Sequence, residues 1–148
     1  MSDPAEQPSG EALVRLLAVR DRVAVGLGAE LASADPERVM LRLRVTEAHL
    51  NFYGYCHGGV IFTLADSAFG LACNAHGEVA VALDVHLTFS TAVRVGETLT
   101  ATATELTRTR RTGTYRIEVR NDAGALVSHF MGTAHVTGRP TLPLPEQP

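Results

Sequence analysis

A continuous apolar segment, Val60 to Cys73, is the feature that most restricts how this chain can fold. It lies within a predicted helix from about Gly58 to Asn74 that is hydrophobic on nearly every side. A helix of that kind has to be surrounded by other elements. The segment is too short to span a bilayer and contains Asp66, so the sequence predicts a buried core helix.

The residues on either side of this helix predict an antiparallel sheet. Before the helix, residues 39–46 alternate apolar and polar side chains with the two-residue period of a strand that has one buried face. After it, turn residues separate four apolar stretches, and residues 121–124 predict a hairpin turn between the last two. These four predicted strands are Val79–Ser90, Thr98–Thr107, Thr114–Asn121 and Leu126–Val136. A helix followed by a meander of strands predicts an α+β fold with the sheet wrapped around the helix.

The length of the chain predicts one domain. Its 148 residues can bury one core, and 45% apolar with 20% charged residues is the balance of a globular protein. Residues 1–10 and 139–148 are rich in Pro, Ser, Glu and Gln and predict flexible tails, which leaves 11–138 as the domain. At the start of that domain, Glu11–Val23 predicts one short amphipathic helix.

Composition excludes several classes of function. A net charge of −3 gives no global reason to bind nucleic acid or an anionic membrane. Neither a secretory signal nor a membrane anchor is expected at the N-terminus, so we predict a cytoplasmic protein. Cys56 and Cys73 would lie roughly 25 Å apart along the helix, too far to pair, and their spacing matches no metal or redox signature.

Short motifs follow one another in a characteristic order: Asn51, Cys56 to Gly59, Leu64 to Phe69, Asp84 and Gly96-Glu97. Together they resemble the hotdog-fold thioesterases, and within them the phenylacetic-acid-degradation (PaaI-type) branch. The resemblance covers about residues 39–136. It implies a hotdog fold, in which an antiparallel sheet wraps around a central apolar helix, and hydrolysis of acyl-CoA thioesters.

Two glycines at the start of the helix predict an oxyanion site. Backbone N–H groups there lack intrahelical partners, and the helix dipole favours negative charge. With no side chain at Gly58 and Gly59, a thioester carbonyl can approach closely, so the Gly58 N–H could stabilise the tetrahedral oxyanion and Gly59 could bind substrate. The alternative is that the glycines only permit close packing.

Asp66 is the more diagnostic residue. A carboxylate in an apolar helix costs several kcal/mol unless it is paired, hydrogen-bonded or protonated. It could act as general base on a water molecule, or attack the thioester carbonyl itself to form a mixed anhydride. The structural alternative is a buried Asp that caps nearby backbone or bonds to Ser67.

The spacing of these residues requires a second subunit. Gly58 and Asp66 are separated by about 12 Å along one helix, too far to act on one carbonyl carbon. Two antiparallel copies about a twofold axis would bring Gly58 of one subunit to Asp66 of the other, giving two shared sites per dimer. The resemblance implies the same arrangement, with dimers often paired into tetramers.

Other site residues are predicted less directly. The resemblance gives His57 and Asn51 roles in binding the carbonyl and orienting the water, although both residues are also common in stabilising loops. Some relatives carry a hydroxyl residue where this chain has Ala82, so water positioning would fall to Asn51. Asp84, His86 and Thr88 alternate on one strand face and are assigned no catalytic role.

The cluster of Arg108, Arg110 and Arg111 near a turn could bind the phosphates of coenzyme A, or could simply be a solvated hairpin. Coenzyme A would then arrive as part of the substrate, with no separate cofactor and no metal. Two competing functions remain open. One is a hotdog enoyl-CoA hydratase, and the other is a non-catalytic acyl-CoA binding module that would not need Asp66 for chemistry.

Overall fold

The computed structural model describes residues 8–148. The helices in that range are α1 (Gly10–Ala18), α2 (Arg22–Leu27) and α3 (Gly58–Asn74). The strands are β1 (Glu30–Ser33), β2 (Val39–Arg44), β3 (Glu78–Phe89), β4 (Thr98–Arg108), β5 (Thr112–Arg120) and β6 (Leu126–Pro140), with one short 3-10 turn at Glu47–His49. Most of the predicted N-terminal tail, residues 1–7, lies outside the described residues.

The core forms around α3, as its apolar sequence predicted. The buried side chains of α3 pack against side chains of the sheet. The ring of Phe69 fits against Gly132 of β6, where an added Cβ would lie 2.9 Å from the ring. That absence of a side chain lets the sheet come close to the helix, so the sheet wraps around α3.

The sheet is antiparallel and has the strand order β1-β2-β4-β5-β6-β3. The predicted meander is therefore right for β4, β5 and β6 and wrong for β3, which pairs with β6 and not with β4. The predicted hairpin at residues 121–124 is confirmed by the Gly124 N–H bond to the Asn121 carbonyl. In the described chain, β3 has a neighbour on one side only and forms an edge of the sheet.

The single helix predicted for Glu11–Val23 is wrong, because the chain turns between Ala18 and Arg22. The Asp21 side chain caps the second helix by accepting from the Ala24 N–H at 3.0 Å. Because Asp21 caps a new helix, the chain breaks between α1 and α2 at this point. The apolar spacing alone does not reveal this break. The short strand β1 was also missed, because Glu30–Ser33 has no clear alternation of apolar residues.

Beyond β6, the Thr141 N–H bonds to the Gly77 carbonyl at 2.9 Å, and the chain then runs along the α1–α2 turn. The flexibility predicted for residues 139–148 stays a prediction. No helix in the part of the chain described here is long and apolar enough to cross a membrane.

Candidate active site

The N-terminus of α3 forms one half of the candidate site. His57 is its N-cap, and the His57 Nδ1 accepts from the Gly59 N–H at 2.8 Å. The next two N–H groups, of Val60 and Ile61, bond to the His57 carbonyl. Within residues 8–148, the Gly58 N–H alone in this first turn has no acceptor. The predicted oxyanion donor is thus the one N–H left free for a ligand.

Replacing His57 separates its capping role from any role in chemistry. We expect His57→Ala to lower stability by about 0.5–2 kcal/mol, because the first turn loses its cap. His57→Asn retains a capping side chain and should restore most of that loss. Urea unfolding of both variants measures the difference. Equal stability of the Ala and Asn variants would contradict the capping role.

The loop before α3 is held by Asn51. Its Oδ1 accepts from the Tyr53 N–H at 2.9 Å and the Tyr55 N–H at 3.2 Å. Among the described residues, its Nδ2 has no acceptor. Asn51 therefore shapes the loop with its oxygen and leaves its amide nitrogen available to a ligand.

His49 fixes this loop to the rest of the fold. It is buried, and its Nδ1 accepts from the Thr46 N–H at 3.0 Å while its Nε2 lies 2.9 Å from the Leu27 carbonyl. Its own carbonyl accepts from the His57 N–H at 2.8 Å. No sequence motif marks this residue, because its role depends on contact with α2, far away along the chain.

A cavity of about 390 Å³ lies beside this end of the helix and is lined by Asn51, Gly58 and Phe89, among others. A Cβ added at Gly58 would lie 3.0 Å from the Phe89 ring. The lining of this cavity thus includes Gly58, whose N–H has no acceptor among the described residues, together with Phe89 and Asn51. Such a set can receive a carbonyl oxygen.

Asp66 forms the other half of the candidate site and lies eight residues after Gly58 along α3. Its carboxylate is half-buried, and no described residue donates a hydrogen bond to it. The structural alternative, a bond to Ser67 or to nearby backbone, is therefore not observed. Burial raises the pKa of Asp66, and the charge of Asp21 raises it further. A partly desolvated carboxylate with free lone pairs is suited to accept a proton.

Asp66 lines a second and larger cavity, of about 920 Å³. Its walls come from four parts of the chain: residues 17–23, one face of α3, Val79 of β3, and residues 141–148. Residues 17–23 and 141–148 were not predicted to line a site, because no local motif marks them. Thr141 lies here with a buried hydroxyl that has no partner in the described chain.

The two halves do not meet within one subunit. Gly58 and Asn51 line the smaller cavity, whereas Asp66 lines the larger. The predicted spacing of about 12 Å along the helix gives the reason. Neither cavity in one chain contains both a proton acceptor and the free N–H.

The three predicted arginines lie away from both cavities. Arg108 Nη1 donates to the Cys73 carbonyl at 3.2 Å and to the Tyr115 hydroxyl at 3.3 Å. Arg110 and Arg111 are exposed and line a separate cavity of about 330 Å³ with His135. Arg108 thus ties α3 to the sheet, and the other two arginines are free to contact a ligand.

The cysteines offer no alternative nucleophile. Both are buried and unpaired, as predicted. Burial, and secondarily Glu97, raises the pKa of Cys56 to about 11, and burial raises that of Cys73 to about 12. At neutral pH both remain thiols, which are poor nucleophiles. The described residues contain no cluster of His, Cys, Asp and Glu that could hold a metal ion.

Comparison with known proteins gives this geometry a context. The profile of the thioesterase superfamily matches residues 53–128. A relative from Archaeoglobus fulgidus, described as a putative esterase, is 45% identical over 62% of this chain and 59% of its own length. The chain thus spans less than two thirds of that relative.

The acyl-coenzyme A thioesterase PaaI of Escherichia coli is 39% identical over 80% of this chain and 84% of its own. Its solved structure, described as a protein of the phenylacetic acid degradation operon, superposes with a TM-score of 0.85 and 35% identity, covering 90% of this chain and 99% of that one. A hypothetical thioesterase of Streptococcus pneumoniae, solved with coenzyme A, has a TM-score of 0.72 and 28% identity over 76% of this chain and 88% of its own.

Proposed function

Because the chain belongs to the thioesterase superfamily and is an acyl-CoA thioesterase, we propose that its substrates are aromatic acyl-CoA thioesters of the phenylacetyl type. Its sheet wrapped around a central helix is the hotdog fold, as the sequence predicted. The aromatic preference is supported by the operon named for the Escherichia coli structure and by the apolar side chains around Asp66.

One observation carries the chemistry: among the described residues, the half-buried carboxylate of Asp66 has no hydrogen-bond donor and the Gly58 N–H, on the same helix, has no acceptor. The two residues line separate cavities. We propose that Asp66 removes a proton from a water molecule, whose oxygen then attacks the thioester carbonyl carbon. The Gly58 N–H of the partner subunit stabilises the resulting oxyanion. The tetrahedral intermediate collapses, the C–S bond breaks, and the proton passes to the departing CoA sulfur.

The second route uses Asp66 as nucleophile. Its carboxylate then attacks the carbonyl carbon, CoA thiolate leaves, and water hydrolyses the mixed anhydride. A single turnover in ¹⁸O-labelled water distinguishes the routes. Label within Asp66, or an acyl group trapped on it by rapid quenching, supports nucleophilic attack, whereas label confined to the released acid with no trapped acyl group supports the general base.

We propose a homodimer with shared sites, paired further into a homotetramer. Support comes from β3, whose free edge carries exposed apolar side chains at Val81, Leu83 and Phe89. A long, apolar edge strand is a template for pairing with another strand. Pairing of two β3 strands about a twofold axis would extend the sheet across the dimer.

Coenzyme A would enter with the substrate, so the mechanism needs no further cofactor. We propose that Arg110 and Arg111 contact its phosphates, since both are exposed beside a cavity and guanidinium groups bind phosphate in bidentate fashion. Arg108 was predicted to share this role, but its bonds to Cys73 and Tyr115 occupy part of its guanidinium. We further propose that the enzyme works in the cytoplasm.

The competing functions are less well supported. A hydratase pairs a carboxylate with a histidine that exchanges protons, but the ring of His57, the histidine next to Gly58, is engaged with the Gly59 N–H through its Nδ1. A purely binding module would have no use for a partly desolvated carboxylate, which lowers stability.

A panel of acyl-CoA substrates tests the proposal. The purified protein is assayed for thiol release and enoyl hydration on acetyl, hexanoyl, dodecanoyl, phenylacetyl and crotonyl CoA. We expect thiol release, highest in kcat/KM for phenylacetyl-CoA, and no hydration of crotonyl-CoA. A higher kcat/KM for dodecanoyl-CoA would contradict the aromatic preference, and hydration without thiol release would favour the hydratase.

Asp66 also predicts how the rate depends on pH. The reacting form is the carboxylate, and its pKa is raised, so kcat/KM should fall as pH decreases through a midpoint above the usual range of an Asp. Asp21→Asn removes the second cause of that shift and retains a side chain that can cap α2. We expect its midpoint to move to lower pH. A midpoint that is the same in wild type and Asp21→Asn would contradict this coupling.

A further inference from the structure

We propose that residues 141–148, called here the C-terminal strap, form the outer wall of the acyl pocket beside Asp66 and limit the size of acyl group the enzyme accepts. This inference rests on the proposed function, because it assigns the acyl group to the Asp66 cavity. Arg20 and Arg22 are the positioning residues that hold the strap in place.

The strap is held by polar contacts along most of its length. Arg20 Nη2 donates to the Pro145 carbonyl at 2.6 Å, and Arg22 Nη2 donates to the Pro148 carbonyl at 3.2 Å. Gln147 Nε2 donates in return to the Arg20 carbonyl at 3.4 Å. At its start, the Thr141 N–H is bonded to Gly77. The α1–α2 turn with the start of α2, and the turn between α3 and β3, therefore fix the strap from two sides.

Its composition suits a wall without regular secondary structure. Pro143, Pro145 and Pro148 restrict the backbone and have no N–H that would need a partner. A segment with several prolines loses less conformational entropy when it is held in one path. The hydrogen bonds from Arg20 and Arg22 can thus be enough to position the strap. Composition alone, without these contacts, predicts a flexible segment.

The strap borders a cavity whose other walls present apolar side chains beside polar and charged ones. Leu144 of the strap is half-buried and lines the cavity. The helix that carries Asp66 contributes Leu71 to the same cavity, and α1 contributes Leu17. An acyl chain entering from the Asp66 side would meet these side chains. The volume of about 920 Å³ lies in the range of small-molecule sites, so the position of the wall decides what fits.

Removing part of this wall should shift selectivity towards larger acyl groups. Leu144→Ala opens space for long acyl chains and removes an apolar contact from small aromatic acyl groups. Both effects raise the ratio of the phenylacetyl-type Kd to the dodecyl-type Kd. Each methylene newly buried strengthens binding about fourfold. Arg20→Ala should act similarly by releasing the strap at Pro145.

The test uses CoA thioethers, which cannot be hydrolysed, with acetyl-, phenylacetyl- and dodecanoyl-sized groups. Calorimetry gives the Kd of each for the full-length wild type, Leu144→Ala and Arg20→Ala. We expect the ratio of the phenylacetyl-type Kd to the dodecyl-type Kd to rise about fourfold or more in both variants. The matched controls are Leu106→Ala, at an exposed leucine on β4, and Arg15→Ala, at an arginine whose side chain donates a hydrogen bond to Glu11; both should leave the ratio unchanged.

A ratio that stays within about twofold of wild type in the folded variants would overturn the strap as a size-limiting wall, as would failure of the wild type to bind any thioether. Thermal melting identifies a variant that does not fold, in which case the other variant decides. Thiol release from the matching thioesters is recorded separately. Normal hydrolysis with an unchanged ratio of Kd values refutes only the role of the strap as a wall. A changed ratio of Kd values without hydrolysis refutes the proposed function and supports that role.

Discussion

Asp66→Asn is expected to lower kcat for thiol release from phenylacetyl-CoA by about 10²- to 10⁴-fold, the usual contribution of a positioned general base. The substitution retains the size of the side chain and removes its capacity to accept a proton. KM should change little, since the carboxylate acts on water and not on the acyl group. Steady-state kinetics with wild type and variant measure both constants.

The matched control is Asp84→Asn, an exposed carboxylate on β3 that lines neither large cavity. Its kcat should remain near the wild-type value unless the subunits fail to assemble, which size-exclusion chromatography detects. Undiminished thiol release by Asp66→Asn would refute both proposed routes, because each requires this carboxylate.

The stability of Asp66→Asn, unlike its activity, is not expected to fall. A pKa raised in the folded protein means that the folded state binds the proton more tightly than the unfolded chain. Ionisation of Asp66 therefore costs stability as pH rises through the raised pKa. Asn carries no charge, so Asp66→Asn should be at least as stable as wild type at neutral pH. A catalytic loss together with retained stability excludes misfolding as its cause.

Mixing two inactive variants is expected to restore about a quarter of wild-type activity. Gly58→Val blocks the approach to the free N–H, and Asp66→Asn removes the proton acceptor. With random exchange of equal amounts, about half of the dimers contain one copy of each variant, and each such dimer has one intact site of two. Recovery of this size requires that Gly58 and Asp66 act from different subunits.

Native mass spectrometry of the mixture establishes whether subunits have exchanged. Each variant mixed with itself is the control and should stay inactive. A fully exchanged mixture that remains inactive would mean that a site is complete within one chain. In that case a group other than the Gly58 N–H would have to stabilise the oxyanion beside Asp66, because one helix holds both residues at a fixed separation.

Features that depend on near neighbours in the chain were predicted well. The apolar run of α3, the alternation in β2 and the hairpin at residues 121–124 all follow from local sterics and from which face is buried. The α1–α2 break was missed although it is also local. Its signal is one capping side chain, Asp21, within a stretch whose apolar spacing continues into the next helix.

The sequence by itself determined the α3 core, the glycines at its start and the presence of a carboxylate in its middle. Helical spacing also determined that one chain separates Gly58 from Asp66, because the rise per residue is constant. Only the tertiary structure decided that β3 is an edge strand, that Arg108 contacts Cys73, and that the C-terminal strap walls the Asp66 cavity. Those features join residues far apart in the chain, and packing of the whole core selects them where local sterics leave many arrangements open.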